Sequence, residues 1–415
     1  MITVTATPDR SLVRTAGKSI RYLHLRLVAP PRQRGQTRAP VHVAFVIDRS
    51  GSMAGSRLTL AKQATSEALG FLGADDRFGV VTFDDHVDTL VPPCAASYAA
   101  VAAARERIAR VEPGGSTALC EGWLTGAAHI DAGGDAVARC LLLTDGHANV
   151  GEAQPAALAH HASELRKRGV TTTTFGLGDN FSEELLHGMA SAGGGHFYFI
   201  EHAAQIRDFF ASELGEALEV VARDVTATIT HPTVGVEPLV AYEVRRDADG
   251  ASVRVGDLCA DQVVELVVEL TFPSGATGSD ITLALEVAAR DQAPVTTEVR
   301  FTFADHAHND RQPRAVAVDR MVGAVYAADA RRQAIVSNRA GDYAAAAHVL
   351  AATAKRIQSY AFGDPELVAL GDLLGVEAQV FGKAMDEMSR KRAHHVSTSR
   401  MKGRDEQTGR AKKLS

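Results

Sequence analysis

Asp48, Ser50 and Ser52 fall two residues apart in Asp48-Arg-Ser50-Gly-Ser52-Met and offer one carboxylate and two hydroxyls. All are hard oxygen donors, the set that suits a small hard cation such as Mg²⁺, which keeps waters and takes few protein ligands. Two other segments add matching oxygens. Pro113-Gly-Gly-Ser-Thr117 places hydroxyls behind glycines that allow close backbone approach, and Leu143-Thr-Asp145-Gly146 supplies a second carboxylate. The alternative for Asp48, Ser50, Ser52, Thr117 and Asp145 is capping and turn formation without a metal, because Asp and Ser are common turn residues. Asp84 and Asp85 either line the same crest or form a solvated turn. His147 and Asn149, just past Asp145, either shape its rim or serve a plain turn.

Other chemistries find less in the chain. An aspartyl nucleophile at Asp48 would need a second carboxylate two residues on, and Ser50 stands there. Ala16-Gly-Lys-Ser19 imitates the end of a phosphate-binding loop, but Leu12 occupies the position of its first glycine. No G-x-S-x-G elbow and no H-E-x-x-H pair occurs. The expectation is therefore a non-enzyme with no catalytic residue, metal-assisted hydrolysis at the same crest being the enzymatic alternative. Cys94, Cys120, Cys140 and Cys259 form no C-x-x-C pair. His160-His161 and His394-His395 sit in polar contexts and are expected at the surface.

The elements that must position these oxygens are legible as buried strands. Val41–Ile47 is a continuous apolar run, as expected for a strand covered on both faces of a parallel sheet. Strands at Phe78–Phe83, Arg139–Thr144, Val170–Leu177 and Phe197–Ile200 alternate with helices between about 55 and 218. That alternation predicts a Rossmann-like, doubly wound, mostly parallel α/β sheet, with ligands bound where loops leave the carboxyl ends of strands. From 222 to 305 the period shortens to strands separated by Gly, Pro and Asp turns, the pattern of an all-β sandwich. Strands in Ile2–Thr7 and Ser19–Val28 would complete that sandwich, making the α/β unit an insertion. Residues 312–392 become Ala-rich and helical. There Asp364-Pro365 reads as an N-cap and first helical residue, followed by an apolar stripe from Leu367 to Met388. The expected divisions are 1–38 (strands and linker), 39–218 (α/β domain), 219–305 (β-sandwich-like domain), 306–392 (helical bundle) and 393–415 (basic flexible tail).

Over about residues 39–218 the three oxygen-bearing segments resemble the metal-ion-dependent adhesion site of the von Willebrand factor A domain family. The family's Asp-x-Ser-x-Ser falls on Asp48, Ser50 and Ser52, its loop threonine on Thr117 and its Thr-Asp-Gly aspartate on Asp145. Flanking text is similar too: Val-Ala-Phe-Val-Ile before Asp48, Gly-Val-Val-Thr-Phe at 79–83, and Gly-Gly-Gly-His-Phe-Tyr at 193–198. The resemblance implies a Mg²⁺ (Mn²⁺ or Ca²⁺ being alternatives) held by these five residues, and a partner protein that presents a Glu or Asp to it. The layout is similar to bacterial cytosolic members of the family and, in its early part, to the heavy chains of inter-alpha-trypsin inhibitor. It implies work beside an AAA+ ATPase or a kinase and phosphatase system.

Composition sets the frame. The chain has 415 residues, 46% of them hydrophobic, with 44 Lys and Arg against 50 Asp and Glu. That is the make-up of a globular protein rather than a disordered or fibrous one. No apolar run approaches a bilayer span and the start lacks a secretory layout, so a cytoplasmic protein without membrane contact is expected. The net charge of −6 is uneven: the segments 1–38, 39–218, 219–388 and 389–415 carry +7, −10, −10 and +7. The basic C-terminal stretch has no aromatic residue on which a base could stack, which weighs against nucleic acid.

Overall fold

Val41–Asp48 is buried along its whole length except His42, and the strand that it forms lies inside a six-stranded sheet. The computed structural model describes residues 1–32, 38–133, 135–145, 148–178, 181–201, 203–290 and 292–414, with only the backbone of 203 and 204. In chain order β1 (Thr3–Pro8), β2 (Leu12–Arg14) and β3 (Ser19–Val28) come first. The α/β segment is next: β4 (Val41–Asp48), α1 (Ser56–Ala68), β5 (Arg77–Phe83), β6 (Val87–Ala95), α2 (Tyr98–Ala109) and α3 (Leu119–Ala128). It continues with β7 (Val137–Thr144), α4 (Pro155–Lys167), β8 (Val170–Leu177), α5 (Glu183–Ala192), β9 (Gly194–Ile200) and α6 (Ala203–Leu218).

By its contacts the chain forms two units, one made of residues 32–220 with 406–410, the other of 1–31, 221–405 and 411–415. In the first, the sheet order is β6-β5-β4-β7-β8-β9. All neighbours are parallel except β5 and β6. The order reverses at β4, whose neighbours β5 and β7 lie on opposite sides, so β4 ends at the crevice where such sheets bind ligands. β7 is buried at every residue, and Phe45, Ile47, Leu141, Leu143, Phe175 and Phe210 share one apolar cluster. The antiparallel edge strand β6 is an element that strand periodicity did not indicate. It carries Pro92 and Pro93, which are tolerated at an edge because no inner neighbour needs their missing amides.

The second unit adds β10 (Val220–Thr230), β11 (Gly235–Pro238), β12 (Glu243–Asp247), β13 (Gly250–Cys259), β14 (Val263–Phe272), β15 (Asp280–Ala289) and β16 (Gln292–Ala304). One sheet runs β1-β3-β14-β11 and another β12-β13-β10-β15-β16-β2. β3 pairs with β14 in a ten-residue antiparallel register from Val263↔Val28 to Phe272↔Ser19. Leu23, Leu25 and Leu27 of β3 enter one core with Leu266, Val268, Ile229, Leu285 and Phe301. Ser19–Val28 alternates buried and less buried residues because only one of its faces meets that core.

The last elements are helical: α7 (His306–Arg311), α8 (Val316–Arg339), α9 (Tyr343–Tyr360), α10 (Pro365–Phe381) and α11 (Glu387–Met401). Asp364 caps α10 by accepting from the Leu367 amide, and Leu367, Leu374, Ala378 and Phe381 are buried against Leu350 and Ile357 of α9. The helix stops at Phe381 with Gly382 after it, so Met388 belongs to α11 rather than to the stripe. The expected flexible tail from 393 is corrected by α11 and by the paired residues beyond it. Asp386 caps this helix, Lys391, His395, Ser397 and Ser399 are buried, and the Ser397 hydroxyl donates to Ala328 O at 2.8 Å. Past the helix the Val263 amide donates to Lys412 O at 2.8 Å. The buried residues of α11 are polar and gave it no apolar stripe to read, and His395 is inside rather than at the surface. Among the described residues, no helix is long and apolar enough to cross a membrane.

Candidate metal centre

The crest of the α/β sheet is built from three strand ends. β4 delivers Asp48, and a short 3₁₀ turn at Gly51–Met53, anchored by buried Met53, comes at once after it. The Asp48 carboxylate is fully buried and is held at both oxygens. Oδ1 accepts from the Ser50 amide at 2.8 Å, and Oδ2 accepts from the Thr144 hydroxyl at 2.5 Å. Burial pushes Asp48 up to about 6, against the pull of its Ser50 and Thr144 hydrogen bonds and with a further push from the charge of Asp145. Parallel pairing explains the contact with Thr144: Ile47 stands opposite Leu143, so the next residues leave their strands side by side.

Ser50 Oγ and Ser52 Oγ lie 3.2 Å apart. The Ser52 hydroxyl donates to Asp145 Oδ1 at 2.7 Å, and Arg57 Nη1 donates to Asp145 Oδ2 at 2.5 Å. Asp145 is fully buried. Asp48, Ser50, Ser52 and Asp145 thus form one cluster although Asp145 lies 93 residues beyond Ser52.

Thr117 reaches the same crest through backbone contacts. The Gly114 amide donates to Arg49 O at 2.7 Å, and the Gly51 amide to Gly115 O at 2.9 Å, which clamps the 113–117 loop against the turn after β4. The Thr117 amide donates to Asn149 Oδ1 at 2.7 Å, and the Asn149 amide donates back to Thr117 O at 3.2 Å. Asn149 therefore ties the loop after β7 to the glycine loop, a bracing role between the rim and turn readings. A Cβ on Gly114 would sit 1.7 Å from Asp84 Oδ2, so a larger residue there must push the Asp84 carboxylate from its place. Gly146 and His147 lie outside the described residues.

Asp84 supports the loop from below. It accepts from the His86 amide at 2.8 Å and the Gly115 amide at 3.3 Å, and pairs with Arg49 Nη2 at 3.2 Å. Burial opposes its charge, but the His86 amide, Arg49 and the Gly115 amide together hold it below the ordinary carboxylate value. Asp84, Asp85 and His86 also bring three ligand-type atoms within 4.8 Å of one another. Periodicity and spacing gave no sign of Thr144 or Arg57, since a hydroxyl in a strand and a cation in a first helical turn are ordinary residues there.

The donors around the crest are all oxygen, with no sulfur or imidazole among the five, and suit a hard divalent cation rather than a thiophilic one. Asp48 and Asp145 are two buried carboxylates close enough for one to raise the other, and the donors on Asp48 are neutral groups that bind its charge without cancelling it. An added cation would relieve that repulsion.

The family model of the von Willebrand factor type A domain matches residues 42–212. Residues 42–212 are a von Willebrand factor type A domain. The chain is 29% identical over 241 residues to the uncharacterized protein YfbK of Escherichia coli, covering 56% of this chain and 42% of that one. It is 25% identical over 284 residues to human inter-alpha-trypsin inhibitor heavy chain H4, covering 65% of this chain and 30% of that one. The chain thus spans less than half the length of either relative. A solved von Willebrand factor type A protein from Catenulispora acidiphila shares the fold, with a TM-score of 0.73 over 95% of this chain and 96% of that one at 20% identity. In the von Willebrand A domain of this chain, the oxygen cluster occupies the carboxyl ends of β4 and β7.

Proposed function

We propose that this protein is a non-enzymatic scaffold whose von Willebrand A domain holds a divalent cation, Mg²⁺ before Mn²⁺ or Ca²⁺, on Asp48, Ser50, Ser52, Thr117 and Asp145. A partner protein then presents a Glu or Asp carboxylate to the ion. The observation that carries the reading is the pairing of two fully buried carboxylates with two serine hydroxyls 3.2 Å apart at a strand crest. With few anionic donors on it, a bound ion supplies an electrophilic position that takes one more anion from outside. The serine hydroxyls and Asp145 would hold it, while Thr144 and the Ser50 amide keep Asp48 aimed at the crest.

The surrounding acidity shapes the kinetics. The 39–218 segment carries −10, so an acidic partner gains no long-range steering and the ion must win at short range. The result is strict metal dependence with modest association rates. Ala16–Ser19 leads into β3 rather than into a helix, so a nucleotide-dependent step would reside in a partner of the AAA+ or kinase class. The thiols of Cys94, Cys120 and Cys140 fit a reducing cytoplasm.

The test is co-purification with the intact protein in Mg²⁺, in EDTA, and with Asp48→Ala in Mg²⁺, the captured proteins being identified by mass spectrometry. A partner retained only by the wild type in Mg²⁺ supports the reading, whereas capture that survives both EDTA and the substitution refutes it. A second reading, a structural or assembly subunit that binds through its β and helical domains, is favoured on the helical side by the exposed Leu373, Val376 and Val380 on α10. It predicts capture that ignores EDTA and is lost when these three become polar.

A further inference from the structure

Arg57 stands in the first turn of α1, and its guanidinium bridges the crest: Nη1 donates to Asp145 Oδ2 at 2.5 Å and to Ser52 O at 3.3 Å. It is seated from the other side by Gly178, directly after β8. Gly178 has φ +78°, and a Cβ built there would lie 2.8 Å from Arg57 Nε and 2.9 Å from Cζ. A side chain at this position would therefore displace the guanidinium, which rests on a backbone surface that only glycine leaves open. Two independent features, an ion pair on a buried carboxylate and a glycine cradle, thus fix one cation beside Ser50, Ser52 and Asp145.

The two oxygens of Asp145 are consequently divided. Ser52 holds Oδ1, on the side of the serine cluster, and Arg57 holds Oδ2. We propose that Arg57 is a tethered counter-cation that shares Asp145 with the metal and holds the metal affinity of the site down. This rests on the metal-site reading above, and goes beyond it by assigning the setting of affinity to a residue outside the five donors. Arg57 acts through Asp145, so it is a positioning residue. Its positive charge repels a divalent ion on the same carboxylate, and its hydrogen bond draws electron density away from the serine side. An ion held this loosely keeps more of its appetite for an outside carboxylate.

The experiment is calorimetric titration of Mg²⁺ alone into the intact wild type, Arg57→Met, Arg57→Lys and Gly178→Ala, each checked for folding by circular dichroism. Repulsion between a divalent ion and a guanidinium a few ångströms apart predicts that Arg57→Met binds Mg²⁺ ~10-fold more tightly. Arg57→Lys, which keeps the charge, should stay within about 3-fold of wild type. Gly178→Ala, which pushes the guanidinium off its seat while keeping every donor, should move in the same direction as Arg57→Met. It also carries the test if Arg57→Met does not fold. Wild-type binding of Mg²⁺ with unchanged or weaker binding by folded Arg57→Met, or by Gly178→Ala in its place, overturns this inference alone. No Mg²⁺ binding by wild type, Arg57→Met or Gly178→Ala overturns the metal-site reading and this inference with it.

Discussion

Replacing Asp48 by Asn should make the protein more stable in chelator and blind to Mg²⁺. Burial holds the Asp48 carboxyl at about 6 against an ordinary value of 3.8, so the fold favours its protonated form. That preference corresponds to ~3 kcal/mol. The stability that it lends is fully present below pH 3.8 and is lost as the pH rises through 6, so at pH 7.5 the wild type carries a buried charge without it. Asn is neutral throughout and still accepts from the Ser50 amide. The Thr144 hydroxyl, which donates to Oδ2, must turn to accept from the new amide, at a cost of ~1 kcal/mol. The balance is ~2 kcal/mol in favour of Asp48→Asn at pH 7.5, or roughly 4–8 °C in the transition of a unit this size. The gain should shrink steadily between pH 6 and pH 4. Mg²⁺ at a hundred times its dissociation constant adds about 2.7 kcal/mol to the wild type and nothing to the variant, so the order of melting temperatures reverses when the metal is added. Thermal scans of both proteins across pH 4–8, in EDTA and in Mg²⁺, read all of this. If Asp48→Asn melts below the wild type in EDTA at pH 7.5, or if Mg²⁺ raises both equally, the reasoning about this site fails.

Gly114→Ala should abolish Mg²⁺ binding in calorimetry and cost ~1–3 kcal/mol in urea unfolding, because its Cβ would collide with Asp84 Oδ2 and unseat the Thr117 loop. Asp76 accepts from Arg38 Nη1 at 2.6 Å and from the Val41 and Gly73 amides; burial opposes its charge, but these donors hold it below the ordinary value. Asp76→Asn should therefore destabilise by ~2 kcal/mol at neutral pH, and the gap to wild type should close as the pH falls below the ordinary carboxylate range in acid-unfolding curves. Asn338 Nδ2 donates to Phe381 O at 2.8 Å and to Lys383 O at 2.7 Å, closing the end of α10. Asn338→Leu should cost ~2–3 kcal/mol by chemical denaturation, while Mg²⁺ affinity stays unchanged.

The buried strands of the α/β sheet were readable because a strand covered on both faces must be apolar throughout, as β4 and β7 are. β6 was not, since an edge strand needs only one partner and so carries prolines that read as loop. β12, Glu-Val-Arg-Arg-Asp, has one apolar residue to give to the core and no alternation long enough to notice. α11 hid for a different reason. Its buried residues are Lys391, His395, Ser397 and Ser399, and burial of polar groups is decided by the partners that they meet rather than by their own hydropathy. The roles of Thr144 and Arg57 were invisible in the same way, because each depends on a neighbour distant in sequence.

Local chemistry is written along the chain: the oxygen donors at 48, 50, 52, 117 and 145, the glycines that let a loop come close, and the apolar runs that must be strands. These arise from residue type and spacing, which short-range sterics and water already constrain. Convergence is another matter. That β4 sits between β5 and β7, with Ile47 opposite Leu143, puts Asp48 against Thr144 and Ser52 against Asp145 across more than ninety residues. Strand order is a property of the whole sheet, chosen by packing among many apolar runs of nearly equal character. The same holds for Arg57, whose charge was plain in the sequence, while its place on Asp145 came from α1 and the turn after β8 meeting at one crest.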